Sequence, residues 1–322
     1  MTKLKQEFIW QGRIDSEDGE RGLRWHQVLN QVVGQTLNQA TDAELCTLVG
    51  FACDLGVKAN KGRVGASDGP NVIRAALANL AWHADAALQD KGDIVAQDEL
   101  ESSQQHYATA ISKALATSKL VIGLGGGHEI AWGSYLGLQQ HLASSNKKIG
   151  IINFDAHFDL RKPAPLTSSG TPFWQISQHC EQQGQAFHYA CIGVSEAANT
   201  KALFDAAKTT STRYLRDVEC DEISAKKLLS PMLVGIDELY VTICLDAFPA
   251  SAAPGVSAPS ALGISVPFVI NMLHWLASSQ VPFNYQWQLV DVAEMNPTYD
   301  IDNRTAKLAA RLIFEIVKAK FS

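Results

Sequence analysis

Residues 149–160 read IGIINFDAHFDL, and the rest of the chain can be interpreted from this stretch. It begins as an unbroken apolar run, which is typical of a strand buried on both faces of a parallel sheet. It ends with three side chains that can bind a metal, Asp155, His157 and Asp159, at alternate positions. Because residues two apart in an extended chain point the same way, we expect the three to converge at the carboxyl end of a strand, where open α/β sheets place their sites. The structural alternative is a strand followed by a polar turn that the Asp side chains cap.

The composition is that of a globular protein. The chain has 322 residues, of which 46% are hydrophobic and 19% are charged, enough for one large α/β core or two smaller domains. Its formal net charge is −6 without the basic stripe that a phosphate backbone requires, so we expect no nucleic-acid partner. No segment supplies the ~20 apolar residues of a membrane span, and polar residues 1–22 lack a signal-peptide core. These features predict a cytoplasmic protein with no membrane partner.

Six cysteines occur without a CxxC pair. They are Cys46, Cys53, Cys180, Cys191, Cys220 and Cys244. Several lie in apolar runs, where a free thiol behaves as a small hydrophobic side chain, so we expect no disulfide scaffold.

Apolar runs alternate with segments of helical periodicity, which predicts an α/β architecture. Strands are predicted at residues 45–51, 119–124, 187–194, 213–215, 239–245 and 287–292, in addition to the one that begins at residue 149. No repeat, low-complexity tract or charged linker interrupts the alternation, so we expect a single domain over residues 1–322, with residues 1–40 as a polar lead-in. Asp302 is predicted to cap a terminal helix.

Three further loops follow predicted strands. The run KLVIGLGGGH ends in three glycines and His128, which is either a ligand or an ordinary hydrogen-bonded residue. The loop DLGVKANKGRVGASDGP carries Lys58, Lys61 and Arg63, and it either forms turns only or binds an anionic group. Arg161 begins a long loop rich in Pro, Ser and Thr, and such loops commonly form the walls of a pocket.

Four motifs occur in order: GGGHE at residues 125–129, DAHFD at 155–159, the strand and loop of 242–259, and AEMNP at 293–297. Together they resemble the ordered signatures of the arginase/agmatinase/formimidoylglutamase superfamily. The segments WQGRID, NKGRVGA, SSGTPF and FPASAAPGVSAP are most similar to its formimidoylglutamase branch, which hydrolyses N-formimidoyl-L-glutamate to L-glutamate and formamide in histidine degradation. The resemblance implies a three-layer α/β/α fold with a mostly parallel eight-stranded sheet, a centre of two Mn²⁺ ions, a small-molecule substrate and homo-oligomerisation.

The resemblance also implies roles for individual residues. The implied metal ligands are His128, Asp155, His157, Asp159 and Asp246. Asp155 would bridge the ions, Asp159 would also accept a hydrogen bond from the bridging hydroxide, and Glu294 would pair with the cationic formimidoyl group. The residue types fit, because two divalent metals can turn water into hydroxide at neutral pH and hold it against an amidine carbon, and because oxygen and imidazole ligands suit Mn²⁺. A loop carboxylate without a catalytic role is the alternative for Glu294.

One residue departs from the family pattern. The family has Thr-Ile-Asp-Leu-Asp at a strand end, with its first Asp bridging both metals, whereas residues 242–246 here read Thr-Ile-Cys-Leu-Asp. A carboxylate offers one oxygen to each ion, but the Cys244 thiol has a single soft atom and an ordinary pKa near ~8.5. Cys244 could ligate one metal as a thiolate, bridge a softer ion such as zinc, leave a site weak or empty, or be a small core residue. The occupancy of the two implied manganese sites therefore depends on Cys244.

Substrate selection must depend on the two carboxylates of formimidoylglutamate, because its formimidoyl group resembles any amidine or guanidine. Arg161 and Arg63 are the predicted partners of these carboxylates. Arginase-like enzymes carry Asn at the position of Arg161 and His at the position of Phe173, which argues against arginase activity. Agmatinase or another guanidino hydrolase is the enzymatic alternative. A metal-poor binding or structural subunit is the alternative outside catalysis, and Cys244 is the feature that favours it.

Overall fold

The computed structural model describes residues 8–29, 31–32, 35–36 and 44–321. Their strands, numbered along the chain, are β1 (Gln31–Val32), β2 (Gln35–Thr36), β3 (Leu45–Ala52), β4 (Ala87–Val95), β5 (Leu120–Leu124), β6 (Ile149–Phe154), β7 (His188–Val194), β8 (Arg213–Arg216), β9 (Glu238–Cys244) and β10 (Gln286–Ala293). Their α-helices are α1 (Trp25–Val28), α2 (Leu55–Ala59), α3 (Gly69–Ala78), α4 (Leu100–Leu115), α5 (Ile130–His141), α6 (Pro172–Gln182), α7 (Lys201–Thr209), α8 (Glu222–Leu233), α9 (Val266–Ser278), α10 (Gln280–Phe283) and α11 (Arg304–Lys320). Short 3₁₀ helices cover Ser16–Gly22, Ala66–Asp68, Asp217–Glu219, Leu245–Ala247 and Pro297–Tyr299.

Eight of these strands form one sheet in the order β4-β3-β5-β10-β9-β6-β7-β8. Every neighbouring pair is parallel. Parallel neighbours need long crossover connections, and at least one helix lies between each strand of the sheet and the next along the chain. β1 and β2 pair separately as a short antiparallel ribbon. The predicted eight-stranded α/β fold is confirmed, with a sheet that is entirely parallel.

Helices cover both faces of the sheet, because consecutive strand residues are apolar and point to opposite sides. Ile152 and Val241 belong to the core under α3, α8, α9 and α11. Ile151 and Tyr240 belong to the core under α4, α5, α6 and α7. This is the expected three-layer α/β/α arrangement. Among the described residues, no helix combines the length and the apolar character needed to cross a bilayer.

The structure differs from the sequence-based expectations at three places. β4 is not among the predicted strands, and α2 lies inside a loop that its glycines predict to be irregular. The predicted cap of α11 by Asp302 is wrong. Asp300 has that role, because its carboxylate accepts hydrogen bonds from the backbone amides of Thr305 at 2.9 Å and Ala306 at 3.2 Å.

Arg74 explains how the charged sequence of β4 joins a buried sheet. Its side chain, fully buried on α3, donates to both oxygens of Asp90 at 2.8 and 2.9 Å and to Asp93 Oδ1 at 2.5 Å. Trp10 Nε1 donates to the same Asp90 carboxylate at 2.8 Å. The neighbouring strand β3 leaves room because residue 50 is Gly50, where a Cβ would lie 1.9 Å from Asp93 Oδ1. Paired charges thus replace, in this strand, the apolar contacts that the central strands use.

We expect Arg74→Ala to lower the free energy of unfolding by about 3–5 kcal/mol, because it leaves two largely buried carboxylates without their cation. Lys226→Ala is the control, since Lys226 pairs with Glu222 at 2.8 Å where the two side chains are 36% and 40% exposed. Loss of such an exposed pair should leave the free energy of unfolding nearly unchanged. Urea unfolding, followed by circular dichroism, compares both variants with the native chain. Equal losses for the two variants would contradict a stabilising role of the buried cluster.

Candidate metal centre

The carboxyl ends of four neighbouring strands meet at the centre of the sheet. These strands are β5, β10, β9 and β6, and their residues Leu124, Val292, Ile243 and Phe154 stand level in the register of the sheet. Because parallel strands deliver the residues that follow them to one edge, the side chains after these four converge. The converging side chains include every ligand and catalytic residue predicted from the sequence: His128, Asp155, His157, Asp159, Cys244, Asp246 and Glu294. We call these seven residues the floor of the site.

Two groups of donor atoms share Asp155. His128, Asp155 and Cys244 form one group, and Asp155, His157 and Asp246 form the other, with the donor atoms of each group within 4.8 Å of one another. Asp155 Oδ2 lies 2.9 Å from His128 Nδ1, and Asp155 Oδ1 lies 3.5 Å from His157 Nδ1. His157 Nδ1 also lies 3.2 Å from Asp246 Oδ2. A carboxylate between two such groups can offer one oxygen to each of two cations, so the arrangement fits a binuclear centre.

Several buried atoms of the floor lack a hydrogen-bond partner. Within the residues that the structure describes, His128 Nδ1 lies 2.9 Å from Asp155 Oδ2 and 3.0 Å from Asp159 Oδ2 without a well-directed hydrogen bond to either. Within the described part of the chain, Asp246 Oδ1 and Glu294 Oε2 are likewise buried without a partner. Buried polar atoms normally have a partner, which a coordinated ion would provide here. Carboxylate oxygens and imidazole nitrogens are suitable ligands for Mn²⁺.

The carboxyl groups of the floor repel one another. Burial and the charge of Asp155 raise the pKa of Asp159 to about 6, and burial and the charge of Asp246 raise the pKa of Glu294 to about 8. Burial opposes a charge on His128, but the neighbouring carboxylates Asp155 and Asp159 nevertheless raise its pKa well above the ordinary value. Without a cation, bound protons relieve the repulsion, and cations that enter the floor must displace those protons.

The backbone is strained at both predicted catalytic residues. Asp159 and Glu294 have positive φ angles of 48° and 70°. Side-chain-bearing residues are uncommon in this region and occur preferentially at functional sites. Glu294 is held there by its amide, which donates to Gly126 O at 2.8 Å, and by its Oε1, which accepts from the amide of His128 at 3.0 Å. Gly126 must be glycine, because a Cβ at this position would lie 1.7 Å from Cys53 O.

A buried hydrogen-bond chain that the sequence analysis missed supports His128. Its Nε2 lies 3.0 Å from Thr242 Oγ1, and Thr242 donates to Asp291 Oδ1 at 2.5 Å. Asp291 also accepts from Tyr240 at 2.6 Å and from Ser134 at 2.5 Å. With Nε2 engaged in this way, Nδ1 is the ring nitrogen that faces the floor. The feature of the sequence that could have indicated this chain is the single Asp in the otherwise apolar run LVDVA, residues 289–293.

Two asparagines, also missed, shape the segment after β6. Asn153 Nδ2 donates to Asp155 Oδ2 at 3.0 Å, which leaves the other oxygen directed at His157. Asn199 accepts from the amide of Phe158 at 3.1 Å and donates to Ala156 O at 2.9 Å. These bonds fix the loop that presents the alternating Asp and His side chains.

Cys244 belongs to the floor as a buried thiol. It is the last residue of β9 and is 1% exposed. Burial raises the pKa of its thiol well above the ordinary value, and the charges of Asp155, Asp246 and Glu294 raise it further. The thiol therefore keeps its proton at neutral pH unless a cation displaces it.

A cavity of about 320 Å³ opens above the floor, and three cationic side chains line it: Lys61, Arg63 and Arg161. Arg161 is exposed, and no residue in the described ranges forms a hydrogen bond or ion pair with its guanidinium group. Arg63, in contrast, donates from Nε to Ser257 O at 2.9 Å and from Nη2 to Val256 O, and lies 4.0 Å from the ring centroid of Tyr299. Of the two predicted carboxylate partners, Arg161 is free to contact a ligand, whereas Arg63 already holds the wall of the cavity.

Phe173 forms an apolar wall beside the floor. Its ring lies edge-on to His128 at 5.6 Å and stacks on Tyr189 at 4.3 Å. Phe173 is fully buried and offers no hydrogen-bonding group at this position, where arginase-like enzymes are expected to carry a His.

Known proteins share both the sequence and the fold. Formimidoylglutamase of Vibrio vulnificus is 47% identical over an alignment of 333 positions, gaps included, which covers 98% of this chain and 96% of that protein. Formimidoylglutamase of Hahella chejuensis is 46% identical, over 96% of this chain and 94% of that protein. The crystal structure of Trypanosoma cruzi formiminoglutamase with Mn²⁺ has a TM-score of 0.74 at 23% identity, over 87% of this chain and 95% of that chain. A model of the arginase family matches residues 44–318, which contain all the strands of the central sheet and the entire floor, and the chain therefore belongs to the arginase family.

Proposed function

We propose that the chain hydrolyses N-formimidoyl-L-glutamate to L-glutamate and formamide in histidine degradation. The observation that carries the proposal is a cavity with an acidic, metal-competent floor and cationic walls. This polarity suits a substrate that has a cationic formimidoyl group at one end and carboxylates at the other. The relatives from V. vulnificus and H. chejuensis, which match nearly the whole chain, are named for this activity.

Two manganese ions are the proposed cofactors. The residues that would hold them are His128, Asp155, His157, Asp159 and Asp246; Asp155 belongs to both groups of donor atoms, and Cys244 belongs to one of them. When bound, the ions supply a nucleophile from water at neutral pH. The Mn²⁺ in the T. cruzi structure supports this choice of metal.

Glu294 is proposed to bind the formimidoyl group. Its Oε2 is buried without a partner among the described residues, and the residue lines the cavity, so a cationic amidine would give that oxygen a charged hydrogen-bond partner. Asp159 also lines the cavity and is proposed to take a proton from the attacking water. It would return that proton to the glutamate nitrogen as the bond between this nitrogen and the formimidoyl carbon breaks. The second proton of the water would leave as the carbonyl group of formamide forms, and the glutamate nitrogen would take it up to become an ammonium group.

Arg161 is proposed to bind a substrate carboxylate, because its guanidinium group is free and lines the cavity. For Arg63 the engaged guanidinium group favours a supporting role, in which it positions the wall segment at Ser257. A cytoplasmic location, homo-oligomeric assembly and a single domain stay predictions from the sequence. A metal-poor binding subunit is the second candidate function, and Cys244 is the observation that favours it.

We expect formamide release from formimidoylglutamate, with added Mn²⁺, at a kcat/KM on the order of 10² or more above that for urea release from arginine or agmatine. The physical reason is that neither competing substrate carries two carboxylates for the cationic walls. All three substrates should be assayed with the same metal-loaded preparation. Faster urea release from arginine or agmatine would contradict the assignment.

We expect Arg161→Ala to raise KM for formimidoylglutamate with little change in kcat, at a cost of about 1.5–3 kcal/mol for a lost charged hydrogen bond. Lys58→Ala is the control, because Lys58 is also an exposed cation but lines neither the cavity above the floor nor the larger cavity that adjoins it. Steady-state kinetics of the two variants separates KM from kcat. A native KM in Arg161→Ala would remove Arg161 from the substrate site.

We expect the native chain to be purified with fewer than two manganese ions, and Cys244→Asp to bind more manganese and to have a higher kcat. A carboxylate at this position gives each ion an additional oxygen ligand without the thiol proton that must first be lost. In a chelator, the same variant should melt at a lower temperature than the native chain, because it adds a buried carboxylate near Asp155 and Asp246. Added Mn²⁺ should then raise its melting temperature more than that of the native chain.

Cys244→Ser is the control for this experiment, since it preserves the approximate size of the side chain but provides no carboxylate. It should gain neither manganese nor activity. Two manganese ions in the native chain, together with an unchanged kcat in Cys244→Asp, would show that Cys244 does not limit the site. Failure of both forms to bind manganese would favour the binding-subunit alternative.

A further inference from the structure

Two cavities meet at Lys61 and Arg161. The cavity above the floor, of about 320 Å³, adjoins a larger one of about 1000 Å³ between α6 and α7. Four residues line both cavities, and of these Lys61 and Arg161 carry charge while Asn60 and Leu203 do not. Two cations therefore lie where the two cavities adjoin, within reach of a ligand in either cavity.

The ammonium group of Lys61 is available to such a ligand. Lys61 is exposed, and no acceptor in the part of the chain that the structure describes forms a hydrogen bond or ion pair with it. The third cation of the wall, Arg63, is engaged with backbone carbonyl groups. Lys61 and Arg161 are thus the wall cations that can serve the two carboxylates of one substrate.

The backbone at Lys61 provides a second, independent observation. Lys61 follows the end of α2, and its φ angle is +61°. Its amide donates to Lys58 O at 3.0 Å, and the amide of Gly62 donates to Val57 O at 2.8 Å, the bonding pattern of a helix end with a left-handed residue. Glycine is the residue that adopts this conformation without cost, so a lysine here sacrifices stability.

Positions 61 and 62 are constrained in different ways. A Cβ at Gly62 would lie 2.4 Å from Ser257 Oγ, so packing requires glycine there. Lys61, one residue earlier, carries a long cationic side chain in a conformation that favours glycine. Strain of this kind, kept beside a cavity, points to a use for the side chain.

We propose that Lys61 is a specificity-determining residue, whose ammonium group binds one of the two substrate carboxylates while Arg161 binds the other. This inference rests on the proposed hydrolysis of formimidoylglutamate. The two cations select a dicarboxylate whose cationic end reaches the acidic floor. They also disfavour agmatine, which would bring an ammonium group to the same place, because like charges repel.

The test replaces Lys61 with residues that fit the left-handed backbone. We expect Lys61→Gly and Lys61→Asn to raise KM for formimidoylglutamate, and the inhibition constant of the product L-glutamate, by about tenfold or more, with kcat changed less than twofold. The melting temperature should stay the same or rise, because the backbone strain is removed. A residue with only a structural role would not combine weaker binding with equal or higher stability.

Two further variants serve as controls. Lys61→Arg should keep KM within a few-fold of the native value, because the charge remains. Lys58→Ala, in the helix that precedes Lys61 but outside both cavities, should leave KM unchanged. Native KM and inhibition constants in an active Lys61→Gly variant would overturn the inference about Lys61. Absence of formamide release from the native chain would instead count against the proposed function, so the two failures are distinguishable.

Discussion

Asp155, Asp159, Asp246 and Glu294 approach one another at the centre of the sheet, and repulsion among these largely buried carboxyl groups opposes folding unless positive charge compensates it. The proposed cations provide that charge when they are bound, and protons, including one on His128, provide it in their absence. The level ends of four central strands force the carboxyl groups together, and the two apolar cores on either face of the sheet hold the strands in place. The proposed affinity for metal ions thus follows from the repulsion among carboxyl groups that the fold holds close together.

The floor could be predicted from the sequence because each of its residues lies at or just after the end of a readable apolar run. Asp155 and His157 also alternate in the way that extended chain requires. Asp291 and Asn153 could not be predicted, because a single polar residue within a strand gives no indication of its partners. Arg63 shows that a charge can also mislead. Its side chain suggested a contact with the ligand, but in the structure the backbone oxygens of Ser257 and Val256 accept hydrogen bonds from it.

The fold was predictable where burial on both faces leaves a strand continuously apolar. It was not predictable at β4, where the sequence Asp-Lys-Gly-Asp has the composition of a turn. Its carboxylates, Asp90 and Asp93, are buried because Arg74, sixteen and nineteen residues earlier, supplies both with a cation. An ion pair between residues far apart in the sequence produces no periodic pattern in either segment, so the sequence does not reveal it. The prediction that Asp302 caps α11 was wrong for a local reason. Asp300 and Asp302 are equally plausible caps by residue type, but the carboxylate of Asp300 is the one that accepts from the first amides of the helix, whereas Asp302 has a positive φ angle.

The order of the strands also governs how the chain can fold during its synthesis. β9 and β10, the last strands to be made, lie between β5 and β6. Until they emerge from the ribosome, the strands β4, β3 and β5 cannot be joined to β6, β7 and β8 in one sheet. Each of these two sets then ends in a strand with unpaired backbone groups and apolar side chains, the kind of edge that recruits other chains. In a chain truncated before β9, β5 and β6 would each lack a neighbouring strand. Such a chain would be prone to aggregate as well as inactive, and chaperones and proteases would have to remove it.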